Sequence, residues 1–156
     1  MLSDQVRVDS FSVFVSEVEP RLRAALVASF GPEVGREMTA EALAYGWEHW
    51  DRVGGLENPA GYLYAVGRSK GRRLRRRRPV VLPGVPLGVD PWIEPGLPAA
   101  LASLTEQQRT VIALHHGYEW SLGEVADMLG VSKATVQNRQ RRGLNKLRRR
   151  LGVSYE

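Results

Sequence analysis

The sequence predicts an all-α protein with two small helical domains joined by a linker rich in proline and glycine. Apolar residues recur at helical spacing on both sides of that linker, and an alternating strand pattern is almost absent. Residues 79–98 hold six of the nine prolines and three glycines, which neither a helix interior nor a central strand tolerates. The later half contains a short helix, a glycine turn and a basic helix. We therefore expect domains at 1–78 and 99–156, the second a helix-turn-helix domain.

The first unit begins with aromatic and aliphatic residues at helical spacing. Phe11, Phe14 and Val18 follow Ser10, a candidate helix cap, and Pro20 is expected to kink or divide the helix before Phe30. A second helix is predicted over about 32–52. It is apolar on two faces, so most of its aromatic residues are expected in the core.

A third helix is predicted from Tyr62, after a Gly- and Pro-containing loop at 53–61, and it continues into an arginine run. Its inner face should carry Leu63, Val66, Gly67 and Leu74. Four arginines fall on the opposite face with Tyr64 at its edge: Arg68, Arg72, Arg75 and Arg76. This arginine stripe is either a solvated helix end or localisation signal, or a track for a nucleic-acid backbone, and the residues leave both open.

The second unit has clear helix boundaries. Thr105 with Gln108, and Ser121 with Glu124, are two capping-box patterns that each open a helix. Residues 130–132, Gly-Val-Ser, form the turn before a long basic helix with Val136, Leu144 and Leu147 facing inward. On its outer side, amides and guanidinium groups are the side chains that read base edges and hold phosphates. This pattern favours DNA binding over a helical hairpin with a solvated basic face.

Charge is distributed unevenly along the chain. Residues 1–66 hold five basic and ten acidic residues, whereas residues 67–78 hold eight basic residues and no acidic one. A second block of eight basic residues without an acid spans 133–150. Two separate basic blocks predict a polyanion held at two places, and this pattern indicates nucleic acid.

Other classes of function find little support in the sequence. The absence of cysteine excludes disulfides and thiolate metal sites, and His115 and His116 are interpreted as structural. No catalytic constellation or phosphate-binding loop is recognisable, so we expect no enzyme, no cofactor, no metal and no small-molecule substrate. No apolar stretch suffices for a signal peptide or membrane span, which predicts a cytoplasmic protein without a membrane partner.

The residues then show a family resemblance. Residues 101–152, from LASLTEQQRTV to KLRRRLG, resemble conserved region four of bacterial RNA polymerase sigma factors. EVGREMTAEALAYGWEHWDRV, followed by NPAGYLYAVGRSKGRRLRRRR, more loosely resembles region two. Two such regions joined by a short linker are the layout of the extracytoplasmic-function group.

The resemblance implies partners and site residues. Region four would read the minus-thirty-five promoter element, and region two would bind core RNA polymerase and open the minus-ten element, with the loop 51–61 capturing a flipped base. The implied DNA contacts are Lys133, Ala134, Thr135, Gln137, Asn138, Arg139, Arg141, Arg142, Asn58, Tyr62, Tyr64, Arg68, Arg72, Arg75 and Arg76. The implied polymerase contacts are Glu37, Glu41, Trp47 and Glu48. Because many relatives are held by an anti-sigma protein, such a protein is a further candidate partner.

The chain departs from the family at Ala40, Tyr62, Ser69 and Gln140, the last on an inward face where leucine is usual. The sequence therefore predicts a sigma factor that recognises and melts promoters. The alternative is a stand-alone helix-turn-helix regulator that does not bind core polymerase.

Overall fold

Helices form nearly all of the computed structural model, which describes residues 3–77 and 96–152, and no strand occurs within those ranges. This confirms the predicted all-α class. The helices are α1 (Asp4–Phe30), α2 (Pro32–Glu48), α3 (Trp50–Val53), α4 (Pro59–Arg77), α5 (Leu97–Ala102), α6 (Glu106–Ile112), α7 (Leu122–Leu129) and α8 (Lys133–Leu151), with a π-helical turn at Ala113–Gly117.

Helix α1 is longer than the sequence predicted. It begins behind Ser3, whose hydroxyl accepts a hydrogen bond from the Val6 amide, and not behind Ser10. Its early turns expose Val6 and Val8, so apolar periodicity gave no sign of them. Pro20 does not divide the helix. The missing proline N–H removes one hydrogen bond, whereas burial of Leu22 and other residues in the following turns stabilises the whole element.

Helix α2 packs closely against α1 at two glycines, and α4 packs on the same core. Gly31, at a φ of 87°, ends α1 and starts α2 in a conformation that disfavours other residues. A Cβ on Gly35 would lie 2.5 Å from the Cα of Val27, so only glycine allows this approach of α2 to α1. Helix α4 packs on the same core through Leu63, which is fully buried as predicted.

The second predicted helix ends earlier than expected. Glu48 is its last residue, and His49 adopts a non-helical conformation with its Nδ1 3.0 Å from the Tyr45 carbonyl oxygen. The chain then forms the short α3, which buries Trp50, whereas Trp47 is 37% exposed. The core interpretation is thus confirmed for Trp50 and wrong for Trp47. Helix α4 starts at Pro59, before Tyr62, because proline is well suited to a first helical turn.

The helix-turn-helix is formed by α7 and α8. Both predicted capping boxes are present, at Thr105 and at Ser121. Gly130 takes a left-handed φ of 67° in the turn, and the Ser132 hydroxyl accepts from the Thr135 amide at the start of α8. Val136 is fully buried.

The two units pack against each other. One hydrophobic cluster combines residues of α1, α2 and α4 with Val111, Leu114, Val125 and Met128 of the later helices. A smaller cluster joins α5, α6 and α8. The domain boundaries at 78 and 99 stay predictions.

Most of the predicted linker lies outside the described residues. Helix α5 begins at Leu97, so it includes the last two residues of the predicted range 79–98. Pro98 lies in the first turn of α5, where an amide hydrogen is not needed for a helical bond.

Candidate nucleic-acid interface

Helix α8 presents a polar outer face along its first half. Lys133, Ala134 and Gln137 are exposed, and so are Arg141 and Arg142 further along the helix. Because Val136 anchors the opposite side in the core, the helix cannot rotate without exposing it. These side chains do not pack in the core, so they are accessible to an external partner.

Hydrogen bonds order part of this face. The Arg141 guanidinium donates to Asn138 Oδ1 over 2.8 Å, and the Ser132 and Thr135 hydroxyls are 2.9 Å apart. An arginine held by a neighbouring amide loses less side-chain freedom on binding. Thr135 and Asn138 are half-buried, so they support the face as well as forming its edge.

Arg139 points to the first unit and not to the outer face of α8. It lines a small recess with Tyr64, Arg68, Glu106 and Leu129. Burial, and then the positive charge of Arg68, lower the pKa of Arg139 from its ordinary value. Arg139 is therefore grouped with the residues between the units, which the sequence could not show.

The arginines of the α4 stripe lie in two different environments, a surface recess and a contact with Glu106. Arg72, Arg75 and Arg76 line one shallow surface recess. Arg68 is half-buried and donates from Nε to Glu106 Oε1 over 3.0 Å, while Arg72 Nε lies 3.3 Å from Glu106 Oε2. One carboxylate of the second unit is thus held by two predicted phosphate-binding residues of the first.

The tyrosines predicted to contact DNA lie in different environments. Tyr62 is half-buried, 3.4 Å from the Tyr45 hydroxyl, with Arg52 above its ring at 5.7 Å. Tyr64 is only 3% exposed, and its hydroxyl is 2.8 Å from that of Ser29. Burial raises the pKa of Tyr64. In this conformation Tyr64 cannot stack on a base.

Asn58 stands at the end of the loop predicted to capture a base. Its Oδ1 accepts from the Gly61 amide over 3.0 Å and caps α4, while its Nδ2 donates to the Asp127 carbonyl over 2.7 Å. Both ends of the amide are thereby engaged. The nearby loop residues Leu56 and Glu57 are exposed.

The predicted polymerase contacts all lie on α2. Glu37, Glu41, Trp47 and Glu48 are all exposed. Glu41 forms an ion pair with Lys70 at 3.0 Å, and the Arg7 guanidinium lies 4.6 Å above the Trp47 ring. An acidic surface with one accessible tryptophan suits a basic protein partner.

Sequence reasoning did not find the residues that join the units. Ser29, Glu106, Thr110 and Asp127 all contact predicted DNA-binding residues or their partners. Glu106 is an acid in the first turn of α6, a position that the helix dipole favours. No spacing in the sequence relates it to α4, because the contact is made by tertiary packing.

Over residues 3–77 and 96–152, no group of three or more His, Asp or Glu side chains is placed to hold a metal ion. Within the same ranges, no helix has the length and apolar character needed to cross a membrane.

Gln140 lies 3.1 Å from His116 Nε2, so the polar residue at this usually apolar position has a partner.

Comparison with known families assigns the second unit. Residues 100–149 match the family described as "Sigma-70, region 4". These residues are similar to a sigma-70 region 4 domain and are called the region 4 domain below. The predicted resemblance and the helix-turn-helix class are confirmed. Within it, α7 and α8 form the helix-turn-helix, and α8 has the position of the second helix of that motif.

A solved structure shares the fold of nearly the whole chain. It is the sigma factor RpoE from Bartonella quintana, in a co-crystal structure with the anti-sigma factor NepR. The identity is 21%, the match covers 93% of this chain and 98% of that one, and the TM-score is 0.61. The fold of a sigma factor therefore extends beyond the region 4 domain into the first unit. No curated protein matches the chain.

Proposed function

We propose that this protein is a sigma factor that binds core RNA polymerase, directs it to specific promoters and helps to melt them. The region 4 domain, with an anchored recognition helix whose polar face is exposed, is the observation that carries the proposal. The sigma-factor fold of the first unit supports a role that needs both units.

In this proposal the region 4 domain reads the upstream promoter element. Gln137 and Arg141 contact base edges, while Lys133 and Arg142 hold phosphates beside them. The first unit binds the polymerase through the acidic side of α2 and the minus-ten element through α4 and the loop before it. Chemistry on nucleotides is left to the polymerase, and the protein works with it in the cytoplasm.

An anti-sigma protein is proposed as a second protein partner. The support is the similar RpoE structure, which contains the anti-sigma factor NepR. Such a partner would compete with core polymerase or DNA for the exposed surfaces of the first unit and the region 4 domain.

The test uses purified full-length protein, core polymerase and fragmented genomic DNA. We expect the protein to co-elute with core polymerase and to produce transcripts with a defined set of start sites, which sequencing of RNA 5′ ends would detect. Core polymerase alone is the control. Sequence-specific DNA binding without association with core polymerase would instead support a stand-alone regulator.

A further inference from the structure

A cavity of about 680 Å³ lies beside the end of α1. It is bordered by α1, α5, α6, the π-helical turn and α8. Its walls are mainly aliphatic, and they include Val27, Leu97, Leu101, Ile112, Leu144 and Leu147. A cavity of this size, with apolar walls and a few polar groups, is typical of a site for a small molecule.

Part of the aliphatic wall is still accessible to water. Val27, Leu97, Leu101 and Leu144 are only half-buried. Removal of apolar surface from water is favourable, and each methylene group of a ligand that is buried against such a wall strengthens binding about 4-fold. The walls therefore favour an occupant with an apolar body.

The ionisable side chains of the lining are basic. Of the described residues that line the cavity, only Arg109 and His116 are ionisable, and none is acidic. The Arg109 guanidinium donates to the neutral Ser29 carbonyl over 3.3 Å. Since a guanidinium has five N–H donors, this one hydrogen bond leaves Arg109 with donors for a ligand.

Arg109 lies in a position that lacks a counter-ion among the described residues. Burial, and then the positive charge of Arg75, lower the pKa of Arg109. The charge of Glu106 acts in the opposite direction, but both oxygens of that carboxylate are engaged by Arg68 and Arg72. An anion placed beside Arg109 would stabilise its charge, and a carboxylate matches the geometry of the guanidinium fork.

His116 contributes a polar group to the lining without adding a fixed charge. Its Nε2 lies 3.1 Å from the amide nitrogen of Gln140. Because an amide nitrogen can only donate, Nε2 accepts this hydrogen bond and the imidazole is neutral. Burial, followed by the charge of His115, lowers the pKa of His116, which favours the same neutral form. Arg109 thus determines the charge of the ligand.

We propose that this cavity binds a small amphipathic carboxylate, with its apolar chain against the aliphatic walls and its carboxylate on Arg109. A linear fatty acid of medium chain length has both parts. A nucleotide fits the lining less well, since its sugar and phosphates would lie against aliphatic side chains that offer them no hydrogen bonds.

The chemistry of the ligand is tested with decanoate and the purified full-length chain, by isothermal titration calorimetry. We expect saturable binding of one decanoate per chain and about 15-fold weaker binding of octanoate, which buries two methylene groups fewer. No saturable binding of decanoate would overturn the proposal.

Two probes with the same ten-carbon chain test the role of the charge. 1-Decanol lacks the carboxylate, and decyltrimethylammonium carries the opposite charge. We expect both to bind at least about 10-fold more weakly than decanoate, because hydrogen bonds between ionised groups are stronger than those of a neutral group. Equal affinity for all three probes would contradict a carboxylate site.

Arg109→Gln tests the residue that holds the carboxylate. We expect this variant to bind decanoate at least about 10-fold more weakly and to bind 1-decanol as the unmodified chain does, a difference that a general loss of structure would not produce. Arg36→Gln is the matched control, since Arg36 is exposed on α2 and does not line the cavity. Equal losses of decanoate binding in the two variants would assign the effect to net charge and contradict the proposal.

The position of the ligand is tested by NMR on methyl-labelled full-length chain, which needs no substitution in the cavity. Decanoate should shift the methyl signals of Val27, Leu101 and Leu144. The signals of Val6 and Leu56, which are exposed and lie outside the lining, are the control and should not move. Equal shifts in both sets would show adventitious association with apolar surface and would overturn the site.

The site is formed by the cavity and Arg109, so decanoate binding by the free chain does not depend on the sigma-factor function. Specific decanoate binding by a chain that fails to associate with core polymerase would support the site and refute that function. Promoter-directed transcription by a chain that does not bind decanoate would do the reverse.

Discussion

Single side chains on α8 divide into those that are exposed on its outer face and those that pack in the fold. Arg141 is exposed and is ordered by Asn138, whereas Val136, five positions earlier, is buried. Arg139 lies between them in sequence but faces the first unit. A role in base recognition is therefore predicted for Gln137 and Arg141 and not for every polar residue of the helix.

We expect Gln137→Ala or Arg141→Ala to relax the preference for particular upstream bases, because removal of a good interaction with a base edge costs about 1–3 kcal/mol. Holoenzyme binding to a library of upstream sequences measures this effect. Arg149→Ala, on an exposed position near the end of the same helix, is the control for charge alone. An equal decrease in affinity for all sequences would assign both side chains to phosphate binding.

The cap of α7 gives a residue-scale prediction about pH. The Ser121 amide donates to Glu124 Oε1 over 3.1 Å, and this bond, followed by that to the Ser121 side chain, lowers the pKa of Glu124. A lowered folded-state pKa stabilises α7 above the ordinary glutamate pKa, and this contribution is lost as pH falls through the folded value.

Ser121→Ala should raise the Glu124 pKa part of the way to its ordinary value, since the hydroxyl is removed while the backbone amide remains. An NMR titration of the Glu124 carboxyl measures the change, and Glu124→Gln identifies the signal. An unchanged pKa in Ser121→Ala would show that the hydroxyl has no part in the shift.

At the scale of elements, α4 contributes to the core on one side and carries the arginine stripe on the other. Its inner side packs Leu63 into the core, and its other side carries the arginine stripe, part of which pairs with α6. Because the arginines lie on one helix, their spacing along the surface is fixed.

Replacement of Arg68, Arg72, Arg75 and Arg76 by Gln should keep helix propensity and remove the cations. If these residues hold minus-ten phosphates, the salt slope of promoter binding by the holoenzyme falls by about 0.9 for each phosphate that is no longer neutralised. The decrease in affinity should be nearly independent of DNA sequence and leave recognition of the upstream element intact. Full affinity with the original slope would mean that the stripe is only a solvated helix end.

At the scale of the whole molecule, the exposed side of α2 lies apart from the contacts between the units. Glu41 pairs with Lys70 of the first unit, and Glu37 is also exposed. If this side meets cations on the polymerase, Glu37→Lys with Glu41→Lys should weaken binding to core polymerase, because like charges across an interface cost several kcal/mol. Binding is measured by titration against labelled core polymerase.

The double variant should keep its helical circular dichroism, since both positions are exposed. Glu17→Lys with Glu33→Lys, at exposed positions outside the predicted contact set, is the matched control for charge. Unchanged affinity of folded Glu37→Lys/Glu41→Lys for core polymerase would remove this assignment.

Cleavage between positions 83 and 95 tests the organisation into two units. We expect two helical fragments, because a proline-rich linker makes few contacts. The shared hydrophobic cluster adds the expectation that they stay associated until dilution separates them, as analytical ultracentrifugation would show. Disappearance of all helical structure on cleavage would contradict the prediction of separate domains.

The sequence by itself determined the helical class, the two capping boxes, the glycine turn and the long basic helix that follows it. Each of these depends on residues within one or two helical turns, so local hydrogen bonding and periodicity are sufficient. The first turns of α1 were not predicted as helix, because their few apolar residues do not form a buried stripe. Only tertiary structure decided that Glu106 pairs with Arg68 and Arg72, that Tyr64 is buried and that Arg139 faces the first unit. The two ion pairs of Glu106 join residues 38 and 34 positions apart, and their formation depends on how whole helices pack, which no local pattern encodes.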